Sequence, residues 1–220
     1  MNLEKRVKNM KIALINENSQ ASKNKIIYNS LNKVASKYNH EVYNYGMYGI
    51  EGESNLTYVQ VGLLSAILLN SKAVDFVITG CGTGEGAMLA CNSFPNVLCG
   101  LIVDPTDAYL FGQINNGNAI SIPYAKGFGW GSELTLENIF ENLFKEEFGN
   151  GYPKERAILE QTNKKILDDV KKITHKDMLE ILKEIDQDFL KETISGKNFK
   201  KYFNENCKNK EILEYINSII

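Results

Sequence analysis

The sequence predicts an α/β protein: a five-stranded parallel sheet between two helical layers, in an α/β/α arrangement, followed by C-terminal helices. Three observations carry this. Short apolar runs alternate with helical stretches along residues 11–148, the order that places helices on both faces of a parallel sheet. The runs at 74–79 and 97–103 are almost continuously apolar, as strands covered on both sides are. The third run also empties into a turn with glycine at every second position from Gly80 to Gly86.

Taken in order, residues 11–15 (KIALI) read as the first strand, 16–22 as a polar loop and 23–38 as a helix. Residues 41–45 form a weaker strand, and 58–69 a strongly apolar helix with Val61, Leu64, Ser65 and Leu68 at helical spacing. The strand at 74–79 leads through the glycine turn to a helix at 87–91. The fourth strand, 97–103, precedes a helix opened by Pro105 and running to about 115. A fifth strand at 119–122 and a helix at 134–148 complete the α/β unit, residues 1–150. Residues 151–220 read as a helical extension, with helical periodicity over 154–193 and a last helix at 208–219, packed on the core or on a second subunit. Ligands of such sheets bind beyond the carboxyl ends of the strands, which gathers loops 16–22, 46–55, 80–86, 104–107 and 123–132 on one edge.

Composition narrows the function classes. With a net charge of −2 and a pI near 5.8, no general nucleic-acid surface is expected. The longest apolar run, 61–69, is too short to span a membrane, and the first residues lack a secretory hydrophobic region. A reducing cytoplasm is the expected location. Cys81, Cys91, Cys99 and Cys207 show no paired spacing, and His40 and His175 are the two histidines, so no metal site is expected. His40 is expected on the surface at the start of the second strand, and His175 in the extension, neither with a role. Arg6 and Arg156 are the two arginines. Trp130, in the segment GFGWG at 127–131, is expected to fill an interface rather than to wall the site.

The glycine turn is the candidate site. Glycine lets the backbone approach a ligand closely, and N–H groups converging at a helix start favour an anion. Cys81 sits where the same groups favour a thiolate. It is a candidate base or nucleophile, or else a small side chain filling a tight turn. Thr83 can donate a hydrogen bond to a ligand or stabilise the turn. The spacing Gly82-x-Gly84-x-x-Ala87 with Asp104 also fits a loose dinucleotide pattern, but it follows the third strand rather than the first.

The ordered set Gly80-Cys81-Gly82-Thr83-Gly84-x-Gly86, Ala90-x-Asn92-x-x-Pro95, Asp104-Pro105 with Ala108, residues 113–118 (QINNGN) and Gly149-x-Gly151 with Arg156 resembles the ribose/galactose phosphate isomerases. That family includes ribose-5-phosphate isomerase B and galactose-6-phosphate isomerase, and the resemblance covers roughly residues 10–157. It implies a Rossmann-like fold, no metal or organic cofactor, and a homodimer or homotetramer with active sites at the subunit interface. It further implies aldose–ketose isomerisation of a sugar phosphate, a pentose 5-phosphate or hexose 6-phosphate, through a cis-enediolate. Cys81 would carry the proton between C2 and C1, and Thr83 would assist it. The loop residues Gly82, Gly84, Glu85 and Gly86 would contact the substrate, their N–H groups stabilising the developing oxyanion.

This chain departs from the family pattern. Where the first strand of the family ends in an Asp-His pair, the loop here reads Glu17-Asn18-Ser19-Gln20. Asn18 is a candidate substrate contact, and Glu17 can bind hydroxyls or act as an acid/base, or is a solvated loop carboxylate. Ile114 stands where the family carries its ring-opening histidine. The phosphate-binding cluster is reduced to Tyr152-Pro153-Lys154-Glu155-Arg156, and Glu85 holds a position usually apolar. Asn115 and Asn118 can bind substrate or cap a helix end, and Arg156 can hold an anion or pair on the surface. These changes point to an altered or open-chain substrate. A catalytically silent sugar-phosphate-binding or regulatory protein on the same fold is the alternative.

Overall fold

A computed structural model describes residues 9–220; Arg6 lies outside them. Side chains of a strand alternate between faces, and β1 (Lys11–Asn16) and β3 (Phe76–Cys81) are apolar on both. Ile12, Leu14, Phe76 and Ile78 face one side, where they meet α1 (Asn24–Lys37) and α5 (Ser132–Phe144). Ala13, Ile15 and Val77 face the other, against α2 (Tyr58–Asn70). With β2 (Glu41–Gly46), β4 (Cys99–Leu101) and β5 (Ala119–Pro123), the sheet has the order β2-β1-β3-β5-β4, and every pair is parallel. The predicted Rossmann-like three-layer fold is present.

Local chemistry sets the helix starts. Thr57 and Gln60 form a reciprocal capping box at α2. Asp104 caps α4 (Pro105–Leu110) through the N–H groups of Thr106 and Asp107, with Pro105 in the first turn. α4 continues through a π-helical turn at Phe111–Asn115. α3 (Glu85–Asn92) begins two residues earlier than the pattern suggests, because Gly84 takes a left-handed φ of 77° as its N-cap. β4 is shorter than the apolar run 97–103 and lies at the sheet edge, where Val103 is exposed.

Beyond residue 150 the expected helical stretch divides. Residues Lys154–Arg156 form a 3₁₀ turn leading into α6 (Ala157–Thr174), then α7 (Met178–Glu184), α8 (Gln187–Thr193), α9 (Phe199–Asn206) and α10 (Lys210–Ile219). The pattern missed α9, a polar octapeptide anchored by Phe199 and Phe203. Leu182, Leu190, Phe199, Phe203 and Ile216 join the α2 side of the core, so α7–α10 have no core of their own. α6 differs: Glu160 is its one buried residue, and Ile158, Leu159, Ile166, Leu167, Val170 and Ile173 are exposed.

One expectation is corrected. His40 is buried, not on the surface. Its ring meets Phe144 edge-on at 5.1 Å, and Nδ1 accepts from Met10 N. Trp130 is fully exposed at the tip of the loop before α5, uncovered by its own chain and available to an interface. No described helix is long and apolar enough to cross a membrane.

Candidate active site

β3 leaves the sheet at Cys81, and the turn beyond it is fixed by clearance. A Cβ on Gly80 would lie 2.2 Å from Ile122 O, and one on Gly84 would lie 2.6 Å from Leu101 Cδ1. The loop is fastened to the exit of β5: Tyr124 N donates to Cys81 O, Ala125 N to Gly82 O, and Ser121 Oγ to Gly84 O. Gly82, by contrast, has room. The nearest atoms to its Cβ position are Ala125 Cβ at 3.7 Å and Gln20 Nε2 at 3.8 Å, which leaves its backbone open to a ligand. The Cβ position of Gly86 lies 3.3 Å from the Tyr58 ring and 3.7 Å from Cys81 Sγ, so Tyr58 walls the thiol.

Cys81 is almost buried, with Sγ 4.0 Å from Thr83 Oγ1. The same hydroxyl oxygen accepts from Glu85 N at 3.3 Å. Thr83 therefore supports the turn and also reaches the thiol. Glu85 points outward to Lys126, 3.6 Å away, an exposed pair of little energetic weight.

β1 runs beside β3 with Asn16 opposite Gly80. The following residue, Glu17, leaves β1 beside the strand that ends in Cys81. Glu17 is buried rather than solvated, and its Oε2 accepts from Ser19 Oγ at 2.8 Å. Asn18 Oδ1 accepts from Ser19 N, and Asn18 N donates to Leu56 O. The arrangement can do two things: move a carbon-bound proton at sulfur, and hold a hydroxyl proton at a carboxylate beside it.

Asn115, Asn118 and Arg156 are not brought to Cys81 within one chain. Asn118 O accepts from Val77 N at the amino end of β3, four residues or roughly 13 Å from Cys81 at strand rise. Its side chain is consumed there: Oδ1 accepts from Leu98 N and Nδ2 donates to Asn96 O. Ile114 and Asn115 line a groove of about 200 Å³ against α6, with Glu160, Asn163, Lys164 and Leu167. Arg156 donates to Glu160, and Lys154 pairs with Glu146. Asp104 Oδ1, the candidate ribose contact of the dinucleotide pattern, is occupied capping α4. Among the described residues no cluster of three or more His, Cys, Asp or Glu is placed to hold a metal.

Ser19, Gln20, Lys23, Tyr58 and Lys126 also stand at this edge and escaped the sequence reading. Loop position alone pointed to 16–22 and 123–132, but nothing in the residue types singled these five out.

The family model for ribose/galactose isomerase matches residues 12–159. The chain belongs to the ribose/galactose isomerase family. A second model, described as ribose-5-phosphate isomerase, matches residues 173–219. A 4-deoxy-L-threo-5-hexosulose-uronate ketol-isomerase, crystallised with tartrate, is 66% identical over 96% of this chain and 99% of its own, with a TM-score of 0.94. The ribose-5-phosphate isomerase LacAB_rpiB of Vibrio parahaemolyticus is 50% identical over 97% and 100%, with a TM-score of 0.93. Ribose-5-phosphate isomerase B of Clostridium thermocellum, 21% identical over 75% and 99% at a TM-score of 0.59, shares the fold. No curated protein matches the chain. This family member is a sugar isomerase, an enzyme of the intramolecular oxidoreductase class.

Proposed function

We propose that this isomerase interconverts an aldose and a ketose by shuttling a proton between C2 and C1 through a cis-enediolate, with Cys81 as the base. The observation that carries the reading is the nearly buried thiol 4.0 Å from Thr83 Oγ1, beside the start of α3, at the end of a strand whose neighbour leads into the buried Glu17. Charge develops on oxygen as the C2 proton leaves, and fixed donors in the 82–86 loop are most effective at that moment. C1 is reduced as C2 is oxidised, so the reaction needs no external electron carrier. Glu17 handles the hydroxyl proton that changes oxygen.

For the substrate we favour 4-deoxy-L-threo-5-hexosulose-uronate or a sugar of that class. A ketone at C5 and a missing hydroxyl at C4 remove the oxygens that close six- and five-membered rings onto C1. The C1 aldehyde of such a substrate needs no release from a pyranose or furanose hemiacetal, which suits Ile114 in place of a histidine. It also carries a carboxylate and no phosphate, which suits a chain whose Arg156 and Lys154 are already paired with Glu160 and Glu146. A sugar phosphate is the second reading, supported by the 50% identical relative's name.

A homodimer, or a tetramer built from it, is part of the proposal. The exposed apolar face of α6 lies beside Asn115 and Arg156, and a second copy docked there would carry that cluster to the thiol edge. Proton NMR in heavy water tests the chemistry. The uronate should isomerise and take up deuterium at C1 or C2, and Cys81→Ala should abolish both. Turnover of ribose 5-phosphate or a hexose 6-phosphate alone would move the substrate to the second reading. Full turnover by Cys81→Ala would remove cysteine as the base.

A further inference from the structure

Glu17 is the end of a chain of polar side chains. Ser19 Oγ donates to Glu17 Oε2 at 2.8 Å, Gln20 Nε2 donates to Ser19 Oγ at 2.8 Å, and Lys23 Nζ donates to Gln20 Oε1 at 2.7 Å. Lys23 also donates to the carbonyl of Tyr124 and lies 4.6 Å from the centre of the Phe128 ring. Tyr124 N is bonded to Cys81 O, and Gln20 Nε2 stands 3.8 Å from the Cβ position of Gly82. The chain thus crosses the mouth of the glycine turn, from the loop after β5 to the carboxylate after β1.

Its direction is fixed by donor chemistry. An ammonium group only donates. Facing Lys23, the Gln20 amide must present its oxygen there and its NH₂ to Ser19. Ser19 Oγ, having accepted, has one hydrogen to give, and Glu17 Oε2 receives it. Reversing the chain would require a lysine to accept. Among the described residues Glu17 Oε1 receives no donor.

We propose that Ser19, Gln20 and Lys23 are positioning residues that lock Glu17 through Oε2 and leave Oε1 to exchange the substrate's hydroxyl proton. This rests on the isomerase reading given above for Cys81 and Glu17. The protons balance: Cys81 thiolate takes hydrogen from C2 and returns it to C1. Glu17 Oε1 takes the proton of O2 as C2 becomes a carbonyl and returns one to O1 as C1 becomes an alcohol. Lys23 and Gln20 touch no reacting atom; they act by fixing which oxygen of Glu17 is free.

The test is epistasis in the full chain. For 4-deoxy-L-threo-5-hexosulose-uronate, Gln20→Met should lower kcat about ten- to a hundredfold, the scale of a misplaced reacting group, with KM within about twofold. The same change in a Glu17→Gln background should cost nothing further, because residues acting as one unit are not additive. Lys23→Met should match Gln20→Met, and Lys23→Arg should recover most of the rate. Equal losses in both backgrounds, or a loss confined to KM, would overturn the proposal. A second readout is independent of turnover. The Gln20 side-chain amide should give two distinct, slowly exchanging proton signals in wild type and Lys23→Arg, and fast-exchanging ones in Lys23→Met. Unchanged signals in Lys23→Met would overturn the hydrogen-bond chain itself. If wild type leaves the uronate and the sugar phosphates untouched, the isomerase reading fails, while the amide signals still decide the chain.

Discussion

The two edges of the sheet are built in opposite ways. At the carboxyl edge, backbone clearances at Gly80 and Gly84 fix the turn, and polar side chains bond one another around a thiol that has no strong partner. At the amino edge and along α6 the polar groups are spent: Arg156 on Glu160, Lys154 on Glu146, Asn118 on Leu98 and Asn96. What stays unpartnered there is apolar, from Ile158 through Ile166 and Val170 to Ile173. One edge keeps its polar groups around the thiol, and the other leaves an apolar face uncovered. The difference teaches that folding of one chain assembles the loop around Cys81 and leaves Asn118 and Arg156 engaged elsewhere; in the proposed dimer a second copy supplies that cluster.

The largest effect that can break this comparison is complementation. Cys81→Ala should lose about 10²–10⁴-fold in kcat, the usual worth of a general base. Arg156→Ala should lose about 10- to 100-fold if it holds a substrate anion. Two inactive dimers, unfolded and refolded together at equal amounts, should recover about a quarter of wild-type activity. Half the dimers are then mixed, and each mixed dimer has one intact site of two. Activity no higher than the mean of the two variants would place every site residue in one chain. Ile166→Lys with Val170→Lys should give a folded monomer by light scattering, at low activity.

The next largest effect separates glycines held by clearance from glycines held by φ alone. Gly84→Ala combines a left-handed residue, about 1–2 kcal/mol, with a 2.6 Å clash that adds about 1–3 kcal/mol. Gly131→Ala has a similar φ of 83° but nothing within 4 Å, so the first cost stands alone. Denaturant midpoints should rank the two variants in that order, and equal midpoints would show that the turn relaxes freely.

How far the sequence foretold these edges follows from the same physics. β1 and β3 were legible because burial on both faces leaves their central positions apolar, from Ile12 to Ile15 and from Phe76 to Ile78, and the glycine turn was legible because only glycine meets clearances of 2.2 and 2.6 Å. α9 was not, since two phenylalanines four residues apart make no lasting periodicity. Glu17 read equally well as a solvated carboxylate, because its loop is held by a bond from Asn18 N to the distant Leu56 O, which no local pattern encodes. Asn118 fitted the family motif, yet its amide is used entirely within the turn before β5. His40 looked exposed at the start of a strand because Phe144, which covers it, lies far along the chain.

His40 also supplies a stability effect remote from the thiol edge. Burial holds its imidazole well below the usual range, at about 4, with Asp75 pulling the other way. The folded value lies below the unfolded one, so folding excludes the proton. The contribution is fully present above about pH 6.5, falls as pH drops toward 4, and changes no further below it. With allowance for solvent screening the loss is on the order of 2 kcal/mol. Thermal melts of wild type should fall through this window. His40→Asn, which keeps an acceptor for Met10 N, should flatten that part of the curve. An unchanged slope would put the acid sensitivity in the surface carboxylates instead.

The smallest expected effect sharpens the comparison from the thiol side. Trp130 is the one tryptophan and stands free on the carboxyl edge, in the loop that also carries Lys126. Trp130→Ser should change chain stability by less than about 0.5 kcal/mol, as exposed substitutions do. If α6 alone mediates association, the variant should keep the wild-type mass in solution, and the indole of the wild-type assembly should remain open to iodide quenching. Protection from iodide, with loss of assembly in Trp130→Ser, would instead extend the association surface to the tip of the loop before α5. The second copy would then reach past the thiol to the most exposed residue of that edge.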